Sequence, residues 1–109
     1  MLTIKGHKIT LTRGDSLTLL VSLKKDGSDY EIQEGDSIRF AMSKYYLGEE
    51  GYELIKEKAI PTDSLELTLS ADDTSVEPRE YNYDIQMTHA DGTVDTFISS
   101  TITITKEVK

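Results

Sequence analysis

Residues 77–106 read EPREYNYDIQMTHADGTVDTFISSTITITK, and the fold follows from how that run alternates. In Tyr81-Asn82-Tyr83-Asp84-Ile85-Gln86-Met87 every second residue is large and apolar or aromatic, the period of a strand with one face buried. Tyr81, Tyr83 and Ile85 are therefore read as core residues. Ala90-Asp91-Gly92-Thr93 comes next, and Asp-Gly is a strong hairpin signal because glycine takes a positive φ without a Cβ clash. The return is expected to run from Val94 to Ile98, break at Ser99-Ser100, and resume from Thr101 to Thr105. This closing hairpin organises a small all-β domain.

The rest of the chain repeats the pattern. Lys8 to Thr12 follows a short piece at Leu2 to Ile4, with a break at Gly6-His7. Arg13-Gly14-Asp15 turns into a strand over residues 16–24 that places Leu17, Leu19, Val21 and Leu23 on one face. Leu20 breaks the alternation, and cover from a neighbouring element is expected. Asp26-Gly27 turns, Tyr30-Glu31-Ile32 is extended, and Glu34-Gly35-Asp36 turns again. Ile38, Phe40 and Met42 mark a central strand. Residues 44–51, KYYLGEEG, read as a loop. Residues 52–60 resume as a strand whose phase is open: either Leu54 and Lys56, or Ile55 and Glu57, face inward. Leu65, Leu67 and Leu69 give one more strand. Ser70 with Asp73 three residues on has a capping-box spacing, worth a single helical turn at this length.

About seven short antiparallel strands, with turn signals every 8–12 residues or so, predict one immunoglobulin-like β-sandwich over residues 1–109. Tyr81 starts the penultimate strand after a crossover. A sandwich often places a corner tyrosine there, its hydroxyl reaching upstream backbone near Asp73 or Thr74, though an ordinary core tyrosine reads equally well.

Composition limits the function classes. The chain has 109 residues, no cysteine and a net charge of −8. That balance argues against general nucleic-acid binding, which needs a basic patch to neutralise phosphates. Met1 leads straight into Leu2-Thr3-Ile4-Lys5-Gly6, and no apolar run reaches signal-peptide or membrane-span length.

Candidates for chemistry are few. Arg13-Gly14-Asp15 is a tripeptide that some adhesion receptors read, but glycine and aspartate are also what a turn between strands requires. His7 and His89 are the two histidines, and neither has a metal-ligand spacing or an acidic triad beside it in sequence. Asp26, Asp29, Glu31, Glu34 and Asp36 are dense, yet Gly27 comes too early for a calcium loop. Asp63, Asp72 and Asp73 form a second acidic group of the same bland kind. No metal or cofactor is expected, and no nucleophile motif stands out, so an enzyme is not expected. Tyr45, Tyr46, Leu47 and Tyr52 around the glycine-containing loop are the residues expected to touch a partner, because tyrosine offers contact area at low entropy cost.

The chain resembles a known group of proteins at several of these places. Thr12-Arg13-Gly14-Asp15-Ser16-Leu17-Thr18-Leu19, then Asp26-Gly27 with Tyr30-Glu31-Ile32, then Asp36-Ser37-Ile38-Arg39-Phe40 are similar to the opening of small immunoglobulin-like phage tail and baseplate proteins. The N-terminal domain of the baseplate upper protein family is the best known of these. Tyr81-Asn82-Tyr83-Asp84-Ile85-Gln86 with Asp91-Gly92-Thr93-Val94-Asp95-Thr96 resembles that family's hairpin. Arg79 and Ser99-Ser100 stand where the family often has glycine. The resemblance implies a virion or prophage structural module with no catalytic residues. Such a module binds other tail or baseplate subunits, often as a homo-oligomer, and resides in the tail or, without a particle, in the bacterial cytoplasm. An immunoglobulin-like adhesion or carbohydrate-recognition module is the alternative. The missing signal sequence and the absence of tryptophan for sugar stacking count against it.

Overall fold

A computed structural model describes residues 3–5, 7–45 and 52–107. Ten strands occur among them: β1 (Thr3–Lys5), β2 (Lys8–Thr12), β3 (Leu17–Leu20), β4 (Lys24–Lys25), β5 (Ser28–Asp29), β6 (Ser37–Tyr45), β7 (Tyr52–Ile60), β8 (Glu66–Leu69), β9 (Arg79–Thr88) and β10 (Val94–Thr105). They form a six-stranded sheet in the order β1-β2-β10-β9-β6-β7, a two-stranded sheet β3-β8, and the small hairpin β4-β5. The fold is all-β, as the alternation predicts. It departs from the expected seven antiparallel strands in number and in one pairing, since β10 runs parallel to β2 with Ile102 opposite Ile9.

The two main sheets share one core. The large sheet contributes Ile9 and Leu11 from β2, Ile102 and Ile104 from β10, Tyr81, Tyr83, Ile85 and Met87 from β9, and Ile38, Phe40 and Met42 from β6. Leu17, Val21, Leu23, Leu67 and Leu69 cover them from the other side. Each strand alternates because successive side chains point to opposite faces. The outer face of the large sheet is polar, with Arg39 held between Glu57 at 2.8 Å and Gln86 at 3.1 Å.

Tyr81 is 2% exposed. Its hydroxyl donates to the Glu77 carbonyl rather than to Asp73 or Thr74, so the upstream anchor lies at the entry of its own strand. Arg79 lies over the same ring, 5.7 Å from its centroid. The Ser70–Asp73 spacing does form reciprocal capping bonds, Ser70 N–H to Asp73 Oδ2 at 2.8 Å and Asp73 N–H to Ser70 Oγ at 3.2 Å. Residues 71–74 make turns there and not a helix. Thr74, buried next to them, accepts the Gly14 N–H at 3.1 Å and donates to the Asp15 carbonyl at 2.7 Å. Arg13 folds back onto the Val76 carbonyl at 3.0 Å. The Arg13-Gly14-Asp15 segment is thus a turn fastened to the β8–β9 crossover.

Two strand irregularities were misplaced or hidden in the sequence. The expected break at Ser99-Ser100 does not occur. β10 is continuous, and its register against β9 shifts between Thr96 and Ile98 instead, leaving Phe97 as the extra residue of a bulge. On β7 the register against β6 shifts between Met42 and Ser43, so Ile55 is the extra residue there. Ile60 is buried and Lys58 and Lys56 are half-buried, but past the bulge Ile55 is half-buried while Leu54 is exposed. One strand carries both phases, and each of the two readings of residues 52–60 applies to part of it.

Candidate functional site

Two places gather side chains in a way that reaches beyond the core. The first is a groove at the open edge of the two-stranded sheet. β3 pairs with β8 in the register Leu17 opposite Leu69 and Leu19 opposite Leu67. The Val21 N–H extends it by donating to the Leu65 carbonyl at 2.8 Å. In an antiparallel ladder the bonded residues alternate, so Leu17, Leu19 and Val21 direct their backbone groups to β8. Those of Thr18, Leu20 and Ser22 point the other way, where no strand pairs with β3 among the described residues. Below that edge lies a cavity of about 290 Å³ walled by Ile9, Leu19, Val21, Tyr83, Ile85 and Ile98, with His7 at its rim. The Tyr83 hydroxyl donates to the His7 carbonyl and fixes that rim. Leu20, expected to be covered, is 77% exposed.

The second place is a histidine held between two carboxylates. His89 Nδ1 lies 2.8 Å from Asp36 Oδ1, and Nε2 lies 2.7 Å from Asp95 Oδ2. Asp36 Oδ2 also accepts the Gln33 N–H at 2.8 Å and the Tyr30 hydroxyl at 2.9 Å. The Asp36 side chain is 2% exposed and that of His89 19%. Tyr30 packs edge-on to His89 at 6.0 Å and against Phe97 at 5.4 Å. Lys25 reaches Asp95 at 3.4 Å.

Ionised carboxylates only accept, so hydrogen bonds to both of them require hydrogen on both ring nitrogens and favour the imidazolium form. The Asp95 and Asp36 hydrogen bonds accordingly raise the His89 pKa above its ordinary 6.5, against a smaller opposing effect of burial. Asp36 is lowered, first by the Gln33 backbone N–H and then by His89 and Tyr30. Asp95 is lowered, first by His89 and then by Lys25. The Tyr30 hydroxyl is raised by burial and by Asp36. In that protonated form His89 has no lone pair to offer as a base or a metal ligand. The cluster ties the start of β6 to the β9–β10 hairpin.

A pH dependence follows. A raised histidine stabilises the fold fully below the unfolded value, about 6.5, and that contribution is lost as pH rises through the folded pKa. The two lowered aspartates stabilise above their unfolded value and lose their contribution as pH falls through the lower folded one. The cluster is therefore strongest in mildly acidic solution. Between about pH 6 and pH 9 the melting temperature is expected to fall further in the wild type than in His89→Gln. Parallel curves for the two proteins would show that the bracket does not couple protonation to folding.

The other sequence candidates are dispersed. Asp29 pairs with Lys24, and Asp73 with Lys58 at 2.9 Å. No group of three or more histidine, aspartate or glutamate side chains is placed to hold a metal ion among the described residues. Tyr45 and Tyr52 face each other as the last pair of the β6–β7 ladder. Their side chains, and the whole of Tyr46 and Leu47, lie outside the described residues.

Neither the groove nor the His89 bracket was read from sequence. The hairpin register places Asp95 diagonally from His89, since Asp95 pairs with Met87. The β6–β9 register, Ser37 with Thr88 and Ile38 with Met87, puts Asp36 level with His89. Once those pairings are known, the cluster follows. The family models, the curated proteins and the solved structures contain no match to this chain.

Proposed function

We propose that this chain is a structural assembly module of phage or prophage origin, an immunoglobulin-like sandwich that works by binding other protein subunits of a tail or baseplate. The observation that carries the reading is the open β3 edge above an apolar groove. Unpaired backbone groups beside apolar pockets are what strand addition needs: the ladder supplies affinity and alternate side chains supply specificity. The immunoglobulin-like reading draws support from the Tyr81 hydroxyl folded onto upstream backbone, the arrangement of a tyrosine corner. The phage setting is supported by the resemblance of the β9–β10 hairpin and of the residues around Arg13-Gly14-Asp15. Tyr45 and Tyr52, the last pair of the β6–β7 ladder, remain proposed contact residues, as do Tyr46 and Leu47.

Co-expression with the products of the genes flanking its own, followed by gel filtration with light scattering, tests the reading. Co-elution with a tail or baseplate component is the expected result. Failure to co-elute with any of them, together with retention on immobilised glycans, would replace this reading with the carbohydrate-recognition alternative.

A further inference from the structure

The outer edges of the fold are not protected alike. β1 at one end of the large sheet is three residues long and ends in Lys5. β7 at the other end carries Glu53, Lys56, Glu57 and Lys58. Shortness and charge are the usual devices that keep an edge from pairing with another chain. β3 has neither charge nor proline. Residues 16–23, SLTLLVSL, contain no charged side chain although the chain carries a net −8.

The ends of that run are charged and opposite in sign. Asp15 precedes it and Lys24-Lys25 follow it, all three exposed. In an antiparallel pairing with itself centred on Leu20, Leu20 faces Leu20, Leu19 faces Val21, Thr18 faces Ser22 and Leu17 faces Leu23. Ser16 then meets Lys24, and Asp15 meets Lys25. Apolar residues fall opposite apolar ones, hydroxyls opposite hydroxyls, and the charges at both ends attract. The same register sets Thr18, Leu20 and Ser22, whose backbone groups point away from β8, as the bonded pairs of the new ladder. The pattern reads alike in both directions, as an isologous two-fold contact requires.

We propose that the β3 edge pairs with the β3 edge of a second copy of this chain, antiparallel and centred on Leu20. Two β3–β8 sheets then become one four-stranded sheet, and the two grooves close on each other. The exposed Leu20 of each copy is buried against its twin on the outer side, while Leu19 and Val21 meet across the axis on the inner side. Lys24 and Lys25 now hold only exposed intrachain pairs, with Asp29 and Asp95. Such pairs contribute little in water and leave the ammonium groups free to turn toward the partner's Asp15. This pairing deepens the assembly reading by naming one partner as the chain itself.

Sedimentation equilibrium of the purified chain from about 5 µM to about 1 mM tests it. The average mass is expected to rise toward twice the monomer. Leu20→Pro removes an N–H that serves only the outer edge, where proline is tolerated, and is expected to weaken self-association about a hundredfold or more. Leu20→Lys is expected to do the same with the backbone intact, which covers failure of the proline variant to fold. Asp15→Lys and Lys25→Asp are each expected to weaken pairing, and the double variant to restore it. A wild type monomeric throughout, a dimer that survives Leu20→Lys, or a double variant without rescue overturns the proposal. A monomer that still co-elutes with tail components would overturn this pairing and leave the assembly reading standing. A dimer that binds none of them would do the reverse.

Discussion

Replacing Tyr83 by alanine is expected to lower the unfolding free energy by about 3–5 kcal/mol. The ring is 5% exposed and tilts against Phe40 with centroids 5.5 Å apart. Removing it opens space beside Phe40 and enlarges the cavity that Ile9, Leu19, Val21, Ile85 and Ile98 border. That side of the core has a two-stranded cover and little material with which to collapse. The hydroxyl adds a second component, because it donates to the His7 carbonyl across 76 residues of sequence. Burial raises its pKa, so it remains a donor at any pH at which the protein is handled. Tyr83→Phe separates the two parts and should cost about 0.5–1.5 kcal/mol, the net worth of one neutral hydrogen bond. The difference between the variants, measured by urea unfolding, is the packing contribution. A total loss below about 1 kcal/mol for the alanine variant would contradict the inward orientation of the ring.

The same residue illustrates what the sequence makes legible. Tyr81, Tyr83, Ile85 and Met87 alternate without interruption, and all four line the core, because a regular strand maps the period of two directly onto two faces. Leu17, Val21, Leu23, Ile38, Phe40 and Met42 follow for the same reason. Legibility fails where a strand is irregular. The bulge at Ile55 switches the inward set of β7 partway along, so no single phase fits residues 52–60. On β10 the serines suggested a break, but the bulge sits at Phe97, where the ring packs on Tyr30. That reason is tertiary and leaves no local mark. Pairing between distant strands is equally silent: the parallel alignment of β2 with β10 brings together residues about ninety positions apart, and nothing in either segment announces it.

The candidate site divides along the same line. The uncharged run at residues 16–23 could be read directly, and Leu20 was visible as the residue that breaks the alternation. Its exposure depended on which edge of β3 stays open, a property of the whole sheet. The His89 bracket was invisible for a different reason. Its members come from the loop before β6, the end of β9 and the start of β10, and the β6–β9 and β9–β10 registers together bring them into contact.

Gly35→Ala is the second large effect, and it tests how that bracket is held. Residues 33–36 form a turn closed by the Asp36 N–H donating to the Gln33 carbonyl at 3.1 Å. Gly35 occupies its third position with φ of +88°, the left-handed conformation that a type II turn demands there. A side chain at this φ costs about 1–2 kcal/mol. The position is also crowded, since a Cβ would stand 2.6 Å from the Ala90 Cβ and 3.3 Å from the Ala90 Cα. Ala90 is the next residue after His89, so the turn and the β9–β10 hairpin cannot stay where they are. Relieving the contact adds about 1–3 kcal/mol, for a total loss of about 2–5 kcal/mol. Gly27→Ala is the internal control: its φ is +82°, yet nothing lies within 4 Å of the added carbon, so it carries the backbone cost alone. The two variants should also differ in a property that strain by itself leaves untouched. Pushing Ala90 away from Gly35 draws His89 from Asp36, and the imidazole pKa, followed by NMR, should move back toward about 6.5 in Gly35→Ala and stay raised in Gly27→Ala. Equal stability losses, or an unmoved His89 titration in Gly35→Ala, would mean that the glycine–alanine contact does not position the bracket.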